Sequence, residues 1–163
     1  MKAIVCVDKN WGIGKNNDLL FSIPDDMKFF RETTKGKVVV MGSNTLKSFP
    51  NGNPLKNRVN VVLSSSLDRD DCVIVRDFVQ LKKVIEGYEE VFLIGGERVY
   101  ADLIDYCDTA LVTKVDADGN PSAFFPNLDN RECWSMISES EEIISNDYKI
   151  KFTKYINSNV KTL

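Results

Sequence analysis

Asp26 is the acidic residue whose position in the sequence most clearly suggests a functional role. Pro24 suits the first turn of a helix, where its missing backbone donor leaves no hydrogen bond unmade. An advance of about 100° per residue then puts Asp26 at the centre of an apolar face, between Phe29 and Phe30. A carboxylate there is costly unless a polar partner meets it. The adjacent acid, Asp25, lies at the edge of that face, where stabilisation of the helix dipole is enough to explain it.

The composition limits which residues can work with Asp26. The 163 residues contain no histidine, which excludes a Ser-His-Asp triad and every metal site built on imidazole. The four cysteines are widely spaced in apolar patterns, where we expect each thiol to pack as a small hydrophobic group: Cys6, Cys72, Cys107 and Cys133. Proton transfer must therefore depend on carboxylates, lysines, tyrosines or water.

Length and charge favour one ordinary globular domain, taken as residues 1–163. Hydrophobic residues make up 43% of the chain and charged residues 28%, as in typical globular proteins. The net charge of −3 gives no electrostatic case for a nucleic-acid or anionic-membrane partner. The apolar run at residues 3–7 is too short to cross a membrane, and no signal-peptide cleavage region follows it. We expect a cytoplasmic monomer.

The elements that must position Asp26 alternate between buried strands and helices. Continuous β-prone runs predict strands at residues 3–7, 37–42, 59–63, 72–75, 91–94 and 109–115. Helical patterns predict helices at residues 24–36, 43–49, 79–87 and 97–106. Two more strands, at residues 133–141 and 148–156, follow one another without a helix. This order predicts a mostly parallel α/β sheet with an antiparallel C-terminal edge.

Two glycine turns lie between a predicted strand and a predicted helix. One is Gly42-Ser43-Asn44-Thr45, and the other is Ile94-Gly95-Gly96-Glu97-Arg98. Either could be a tight connection, but free amides at a helix start can also receive phosphate oxygens. Two such turns at the carboxyl edge of one sheet favour a dinucleotide site.

Three other features each leave two explanations open. Arg58 is either a solvated surface residue or a bidentate carboxylate ligand at the rim of a pocket. Thr113 is unremarkable in a strand by itself. The loop at residues 8–21 is long enough for a lid or binding loop rather than a simple connection.

Together, these stretches resemble the dihydrofolate reductase family along essentially the whole chain. The matching motifs include Gly12-Ile13-Gly14-Lys15-Asn16, Ile23-Pro24-Asp25-Asp26, Val40-Met41-Gly42-Ser43-Asn44-Thr45, Pro54-Leu55-Lys56-Asn57-Arg58, Ile94-Gly95-Gly96-Glu97-Arg98-Val99-Tyr100 and Val112-Thr113-Lys114-Val115-Asp116. The resemblance implies an eight-stranded, mostly parallel sheet with about four flanking helices. It also implies NADPH-dependent hydride transfer to C6 of dihydrofolate, with protonation at N5, in support of one-carbon metabolism and thymidylate synthesis.

The resemblance also implies roles for individual residues. Asp26 would bind the pterin's amino group and ring nitrogen, and Thr113 would hydrogen-bond the Asp26 carboxylate. Arg58 would bind the glutamate α-carboxylate. The implied substrate contacts are Ile4, Val5, Met27, Phe30, Phe49, Leu55, Arg58 and Ile94. The implied cofactor contacts are Cys6, Ile13, Gly14, Gly42, Ser43, Asn44, Thr45, Leu63, Ser64, Ser65, Gly95, Gly96, Glu97, Arg98, Val99 and Tyr100. The Gly95–Gly96 peptide would be cis, and residues 9–21 would form a lid over the nicotinamide.

The chain departs from the family pattern at three positions. Phe21 occupies a catalytic position where the family usually has tryptophan, so the indole donor to an active-site water is lost. Ser43 stands where many members carry a basic residue for the adenosine 2′-phosphate. Ser64, Ser65 and Arg98 are then the residues that remain to bind this phosphate. Asp102 adds a negative charge to the same region.

Two other functions remain open from the residues alone. A reductase of the same fold could act on a pyrimidine precursor of riboflavin, but it would not need both Asp26 and Arg58. A non-catalytic pterin- or nucleotide-binding protein would be compatible with Phe21.

Overall fold

The structure is a computed structural model that describes all of residues 1–163. Its strands are β1 Lys2–Val7, β2 Gly12–Lys15, β3 Asp18–Leu19, β4 Val38–Gly42, β5 Val59–Leu63, β6 Val73–Val75, β7 Val91–Gly95, β8 Thr109–Val115, β9 Ala123–Phe124, β10 Trp134–Glu139, β11 Ile143–Ser145 and β12 Tyr148–Asn157. Its helices are α1 Pro24–Thr34, α2 Ser43–Ser48, α3 Phe78–Ile85 and α4 Glu97–Leu103.

Eight strands form the main sheet in the order β10-β12-β8-β1-β7-β4-β5-β6, and the short β11 pairs with β12 beside this path. The six strands from β8 to β6 are parallel, and β12 and β10 continue the sheet antiparallel. The continuous apolar runs become central strands because both faces of the sheet are covered; β4 is buried from Val38 to Met41. The predicted α/β class, the mostly parallel sheet and the antiparallel C-terminal edge are confirmed.

The loop expected at residues 8–21 is instead largely structured. Strands β2 and β3 form a hairpin, and β2 also pairs with β9 in a separate three-stranded sheet. The buried Asp8 carboxylate supports this sheet by accepting from the backbone N–H groups of Asn10 and Gly12 at 2.8 Å and of Gly119 at 3.1 Å. Glycine-rich strands lack the alternating hydrophobic pattern, and the sequence therefore predicted a loop here.

Helix ends also differ from the pattern-based bounds by a few residues. Helix α1 ends at Thr34 rather than at Gly36, and α4 ends at Leu103 with a 3₁₀ turn continuing over Ile104–Tyr106. Gly36 still adopts a left-handed conformation, with φ of +76°. No helix has both the length and the apolar character needed to cross a membrane.

The apolar core lies on both faces of the sheet. The larger cluster contains residues of β1, β4, β5, β7 and β8 together with Leu103 and Leu128. A smaller cluster on Ile4, Met41, Leu46 and their neighbours receives Phe29 and Phe30 of α1. Helix α1 thus packs on the sheet beside the carboxyl ends of β1 and β7, which is where an open α/β sheet presents its ligand sites.

Candidate active site

The main cavity of the molecule lies at the carboxyl ends of β1, β4, β5 and β7 and has a volume of about 1490 Å³. Cavities that take one drug-sized ligand have volumes of about 300–1,000 Å³. The cavity is therefore large enough for a dinucleotide and a second ring system side by side. Every site residue expected from the sequence lines it except Phe21 and Thr113.

Asp26 reaches this cavity from the first turn of α1. Met27, Phe30 and Arg31 line the cavity from the same side of the helix, because residues one turn apart share a face. Burial raises the pKa of Asp26 above its ordinary value of 3.8, and hydrogen-bonding interactions with Thr113 and then Cys6 lower it in part. The partly buried carboxylate thus faces an apolar cavity with a hydroxyl and a thiol beside it.

Thr113 does not line the cavity because it is almost fully buried in β8. Its hydroxyl lies next to the Asp26 carboxylate. Thr113 therefore approaches the Asp26 carboxylate from the buried side and does not form part of the cavity wall.

Phe21 also lies off the cavity wall. Its ring packs against Tyr148 with a centroid separation of 4.8 Å, in a cluster that includes Ile23, Val115 and Cys6. A phenyl ring offers no hydrogen-bond donor. Phe21 therefore cannot hold a water beside Asp26 by donating a hydrogen bond to it.

The Gly95–Gly96 peptide is cis, and Gly95 has φ of +135°. A Cβ atom added at Gly95 or Gly96 would lie 3.2 or 3.3 Å from Oγ1 of Thr45, which lies in α2. Small residues are therefore needed for the two turns to approach each other. The cavity wall here consists of backbone and one hydroxyl, which suits the phosphates of a dinucleotide.

The other glycine turn is held just as closely. A Cβ atom on Gly42 would lie 3.0 Å from Cγ2 of Val99, so glycine lets α4 pack against the end of β4. Tyr100 of α4 donates its hydroxyl to the carbonyl of Ile4 at 2.6 Å, with both groups buried. This bond fixes α4 against β1 beside Asp26.

Arg58 approaches the cavity from the loop before β5. The buried Asn60 holds this loop by accepting from Leu55 N–H at 2.9 Å and donating to the carbonyls of Leu55 and Arg58 at 2.9 and 3.1 Å. The Arg58 guanidinium lies 5.9 Å from the centre of the Phe30 ring. Its Nε is buried without a hydrogen-bond partner.

Arg58 is also an arginine without a carboxylate partner in the protein, and a second arginine, Arg31, lines the cavity nearby. Burial and the charge of Arg31 lower the pKa of Arg58. An anion bound in the cavity beside Arg58 would offset both the cost of burying this guanidinium and its repulsion by Arg31. The sequence did not single out Arg31 as a cavity residue, because the pattern of α1 does not show where the loop at residues 55–58 lies.

The sequence also missed a cation near the outer end of the cavity. Arg76, which follows β6, lines the cavity and donates to the carbonyl of Ser64 at 3.0 Å. The cation that was expected here, Arg98, is highly exposed and lies 3.6 Å from Asp102 on the next turn of α4. No motif around Arg76 singles it out, because only the pairing of β5 with β6 brings it beside Ser64.

The comparisons with known proteins agree with this geometry. A family model described as dihydrofolate reductase matches residues 1–157. The chain is 33% identical over 160 residues to the dihydrofolate reductase of Bacillus subtilis, covering 96% of this chain and 94% of that protein. It is 34% identical over 134 residues to the dihydrofolate reductase of Haemophilus influenzae, covering 82% of each.

A solved structure shows the same fold. It is a dihydrofolate reductase from Enterococcus faecalis in complex with NADP(H) and RAB-propyl. The TM-score is 0.86 at 26% identity, covering 96% of this chain and 95% of that one. Of the three functions considered from the sequence, these matches favour dihydrofolate reductase over a riboflavin-precursor reductase and a non-catalytic binding protein. The chain belongs to the dihydrofolate reductase family.

Proposed function

We propose that this enzyme reduces 7,8-dihydrofolate to 5,6,7,8-tetrahydrofolate with NADPH. The observation that carries the proposal is the Asp26 carboxylate, which faces the same cavity as the cis Gly95–Gly96 turn and Arg58. Family membership supports the reaction, and the cavity supports the placement of its two ligands. In balanced form, C6 of dihydrofolate gains a hydride and N5 gains a proton, while the nicotinamide is oxidised.

Asp26 is the group that recognises the pterin in this proposal. Its carboxylate can accept from an amino group and a protonated ring nitrogen at once, as paired donors suit a carboxylate. The negative charge favours positive charge on the pterin, which assists proton uptake at N5. Because no other acid lies beside Asp26 and Phe21 carries no donor, the proton comes from water that reaches the cavity.

The glycine turns fit the pyrophosphate of NADPH. Gly95, Gly96 and Gly42 all lie at positions where a Cβ atom would meet a neighbouring side chain at 3.0–3.3 Å, and Thr45 supplies a hydroxyl between them. NADPH supplies the hydride when bound. Asn17 of the β2–β3 turn donates to the carbonyl of Asn44 at 3.4 Å, which sets the hairpin over this end of the cavity.

The carboxylate end of the substrate is assigned to Arg58. Its buried, unpaired Nε is the strongest sign of an anion ligand in the site, because an unpaired buried donor costs about 1–3 kcal/mol. Leu55, Phe49 and Phe30 line the cavity between Asp26 and this arginine. They provide the apolar walls that an aminobenzoyl group requires.

Arg76 is proposed to supply the cation for the adenosine 2′-phosphate. Ser43 offers a hydroxyl but no charge, and Asp102 partly neutralises Arg98. Arg76 forms no ion pair and is anchored on Ser64, with Ser65 and Ser66 also lining this end of the cavity. A preference for NADPH over NADH would then depend on a different residue from the one that the family pattern suggests.

The decisive test is oxidation of NADPH by dihydrofolate, followed by absorbance after rapid mixing. We expect turnover by the unaltered enzyme, and a fall of roughly 10²- to 10⁴-fold near neutral pH in Asp26→Asn, the range for loss of a proton-handling group. Activity of the variant should partly recover at low pH, where the substrate itself takes up a proton. Asp25→Asn is the matched control and should retain most activity.

Two outcomes would contradict the proposal. Binding of both ligands without NADPH oxidation would make the protein a binding protein rather than a reductase. A pH–rate profile in Asp26→Asn identical to that of the unaltered enzyme would remove Asp26 from the reaction.

A further inference from the structure

Cys6 lies beside Asp26. The sequence predicted that Cys6 would be a packing residue and a cofactor contact, but it did not predict this position. It is paired in register with Thr113, since β1 and β8 run parallel with Cys6 opposite Thr113. Register partners on adjacent strands project to the same face of a sheet. The thiol and the hydroxyl therefore project to the same face of the sheet, and Cys6 lines the same cavity as Asp26. Burial raises the pKa of Asp26, and Thr113 and then Cys6 lower it in part.

The remaining groups around Asp26 cannot replace these two donors. Burial, and to a lesser degree nearby groups that include Asp26, raise the pKa of Tyr100 in α4, and its hydroxyl already donates to the carbonyl of Ile4. Arg31 and Arg58 line the cavity farther along, and neither is among the groups that shift the pKa of Asp26. On α1 itself, Asp25 and Lys28 are exposed. No cation thus compensates the carboxylate within the protein.

We propose that Cys6 is a positioning residue, which donates its thiol hydrogen to the Asp26 carboxylate and, together with Thr113, holds that carboxylate towards the cavity. The inference rests on the proposed function, in which Asp26 binds the pterin. Phe21, which packs in the same cluster as Cys6, leaves the thiol and Thr113 as the side-chain donors beside the acid. A thiol is a weak donor, and its partial burial from water strengthens the interaction.

The arrangement also sets the chemistry of the thiol. Burial, and then the charge and hydrogen bond of Asp26, raise the pKa of Cys6 well above its ordinary value of 9.0. A thiol nucleophile must be deprotonated to react. Cys6 therefore stays protonated at neutral pH, which is the state in which it can donate to Asp26.

The alternative is that Cys6 only fills space. Packing and donation are separated by Cys6→Ala and Cys6→Ser, because alanine removes the donor and serine restores one in a similar volume. The readout is the titration of the Asp26 carboxyl carbon, followed by ¹³C NMR and assigned by its loss in Asp26→Asn. This measurement needs no turnover, so it tests the inference even if the proposed reaction fails.

In Cys6→Ala we expect the pKa of Asp26 to rise by about half a unit or more, since a hydrogen bond to the charged form has been lost. In Cys6→Ser the pKa should return to the value of the unaltered protein or fall below it. In active enzyme, the pH profile of kcat/KM should shift in parallel. Cys72→Ala, which removes a thiol outside the cavity, is the control and should shift neither.

Three results would overturn the inference. The Asp26 titration could be unchanged in Cys6→Ala, or it could shift equally in the alanine and serine variants. Alternatively, both variants could lower the unfolding midpoint without moving the titration, which is the signature of a packing role. Failure of NADPH oxidation with a normal Cys6-dependent titration would instead count against the proposed function alone.

Discussion

Asp26 and Arg58 are charged side chains of opposite sign that face one apolar cavity with few partners in the protein. Burial raises the pKa of Asp26 and lowers that of Arg58, so in each case the environment opposes the charged form. Such positions cost stability and are common at functional sites. A ligand with donors at one end and a carboxylate at the other would satisfy both.

Replacing Arg58 by leucine tests the carboxylate end of this arrangement. We expect dihydrofolate to bind more weakly by about 1.5–3 kcal/mol, the value of a hydrogen bond to a charged group. NADPH affinity should be unchanged, because Arg58 lies away from the glycine turns. Fluorescence titration with each ligand measures both affinities. Lys56→Leu, which removes an exposed neighbouring charge, is the control, and equal losses for both ligands in Arg58→Leu would indicate a structural role.

Replacing Arg76 by glutamine tests the choice of cofactor. We expect the ratio of kcat/KM for NADPH to that for NADH to fall by about tenfold, because a charge-assisted contact with the 2′-phosphate is lost. Ser43→Arg should raise the same ratio by adding a cation. Lys82→Gln removes an exposed charge on α3 outside the cavity and should leave the ratio unchanged. A ratio in Arg76→Gln equal to that of the unaltered enzyme would assign selectivity elsewhere.

Helix α1 positions Asp26, and its first turn is held from outside the helix. The residue at its N-cap, Ile23, has no side chain that can accept from the free amides. The hydroxyl of Ser145 in β11 accepts from the Asp25 N–H at 3.3 Å, and Asn146 donates to the carbonyl of Ser22 at 2.7 Å. The β11–β12 turn therefore supplies the cap that the local sequence lacks.

Ser145→Ala tests this cap. We expect the free energy of unfolding to fall by about 1 kcal/mol, as for loss of a conventional N-cap. Urea unfolding followed by circular dichroism gives this value. Ser138→Ala changes an exposed serine on β10 and should have little effect. If the two variants lose the same stability, Ser145 does not cap α1.

The β2–β3–β9 sheet is tied to the cofactor turns at two points. Asn17 contacts the carbonyl of Asn44, and the Glu97 carboxylate accepts from the backbone N–H of Phe124. Neither contact joins residues that are near in sequence. The sheet that contains the segment expected to be a lid is thus attached to both glycine turns that we assign to the pyrophosphate, through Asn17 at one turn and through β9 at the other.

At the scale of the whole molecule, the site lowers the stability of the fold. Because the pKa of Asp26 is higher in the folded protein than its ordinary value of 3.8, the folded state holds this proton more tightly than the unfolded chain does. The contribution of protonated Asp26 to the stability of the fold is therefore fully present at a pH below 3.8. It is lost as the pH rises through the pKa of Asp26 in the folded protein. Ionised Asp26 destabilises the protein at neutral pH.

Asp26→Asn should consequently be more stable than the unaltered protein at pH 7, although it is far less active. The difference should shrink as the pH is lowered and vanish well below pH 3.8, where the aspartate is neutral in both the folded and the unfolded state. Thermal unfolding across pH measures it. Asp25→Asn should instead lose a little stability at neutral pH, because it removes a charge that favours the helix dipole. A less stable Asp26→Asn at pH 7 would contradict this account.

Local patterns were sufficient for the parts of the fold that depend on burial alone. The continuous apolar runs predicted the parallel strands, and consecutive strands without a helix predicted the antiparallel edge. The glycine-rich β2 and β3 carry no such pattern, and β11 is only three residues long. β3 and β11 each pair with a neighbouring strand in a hairpin, whereas β2 also pairs with β9, more than a hundred residues away.

The sequence by itself separated Asp26 from Asp25, because helical geometry alone put one acid on the apolar face and the other at its edge. It also indicated where backbone must approach closely, since glycine turns follow from steric limits within a few residues. Only the tertiary structure decided what surrounds Asp26: the register of β1 against β8 brings Cys6 beside Thr113, and packing turns Phe21 towards Tyr148. Strand register and loop packing join residues more than a hundred positions apart, and no local pattern carries that information.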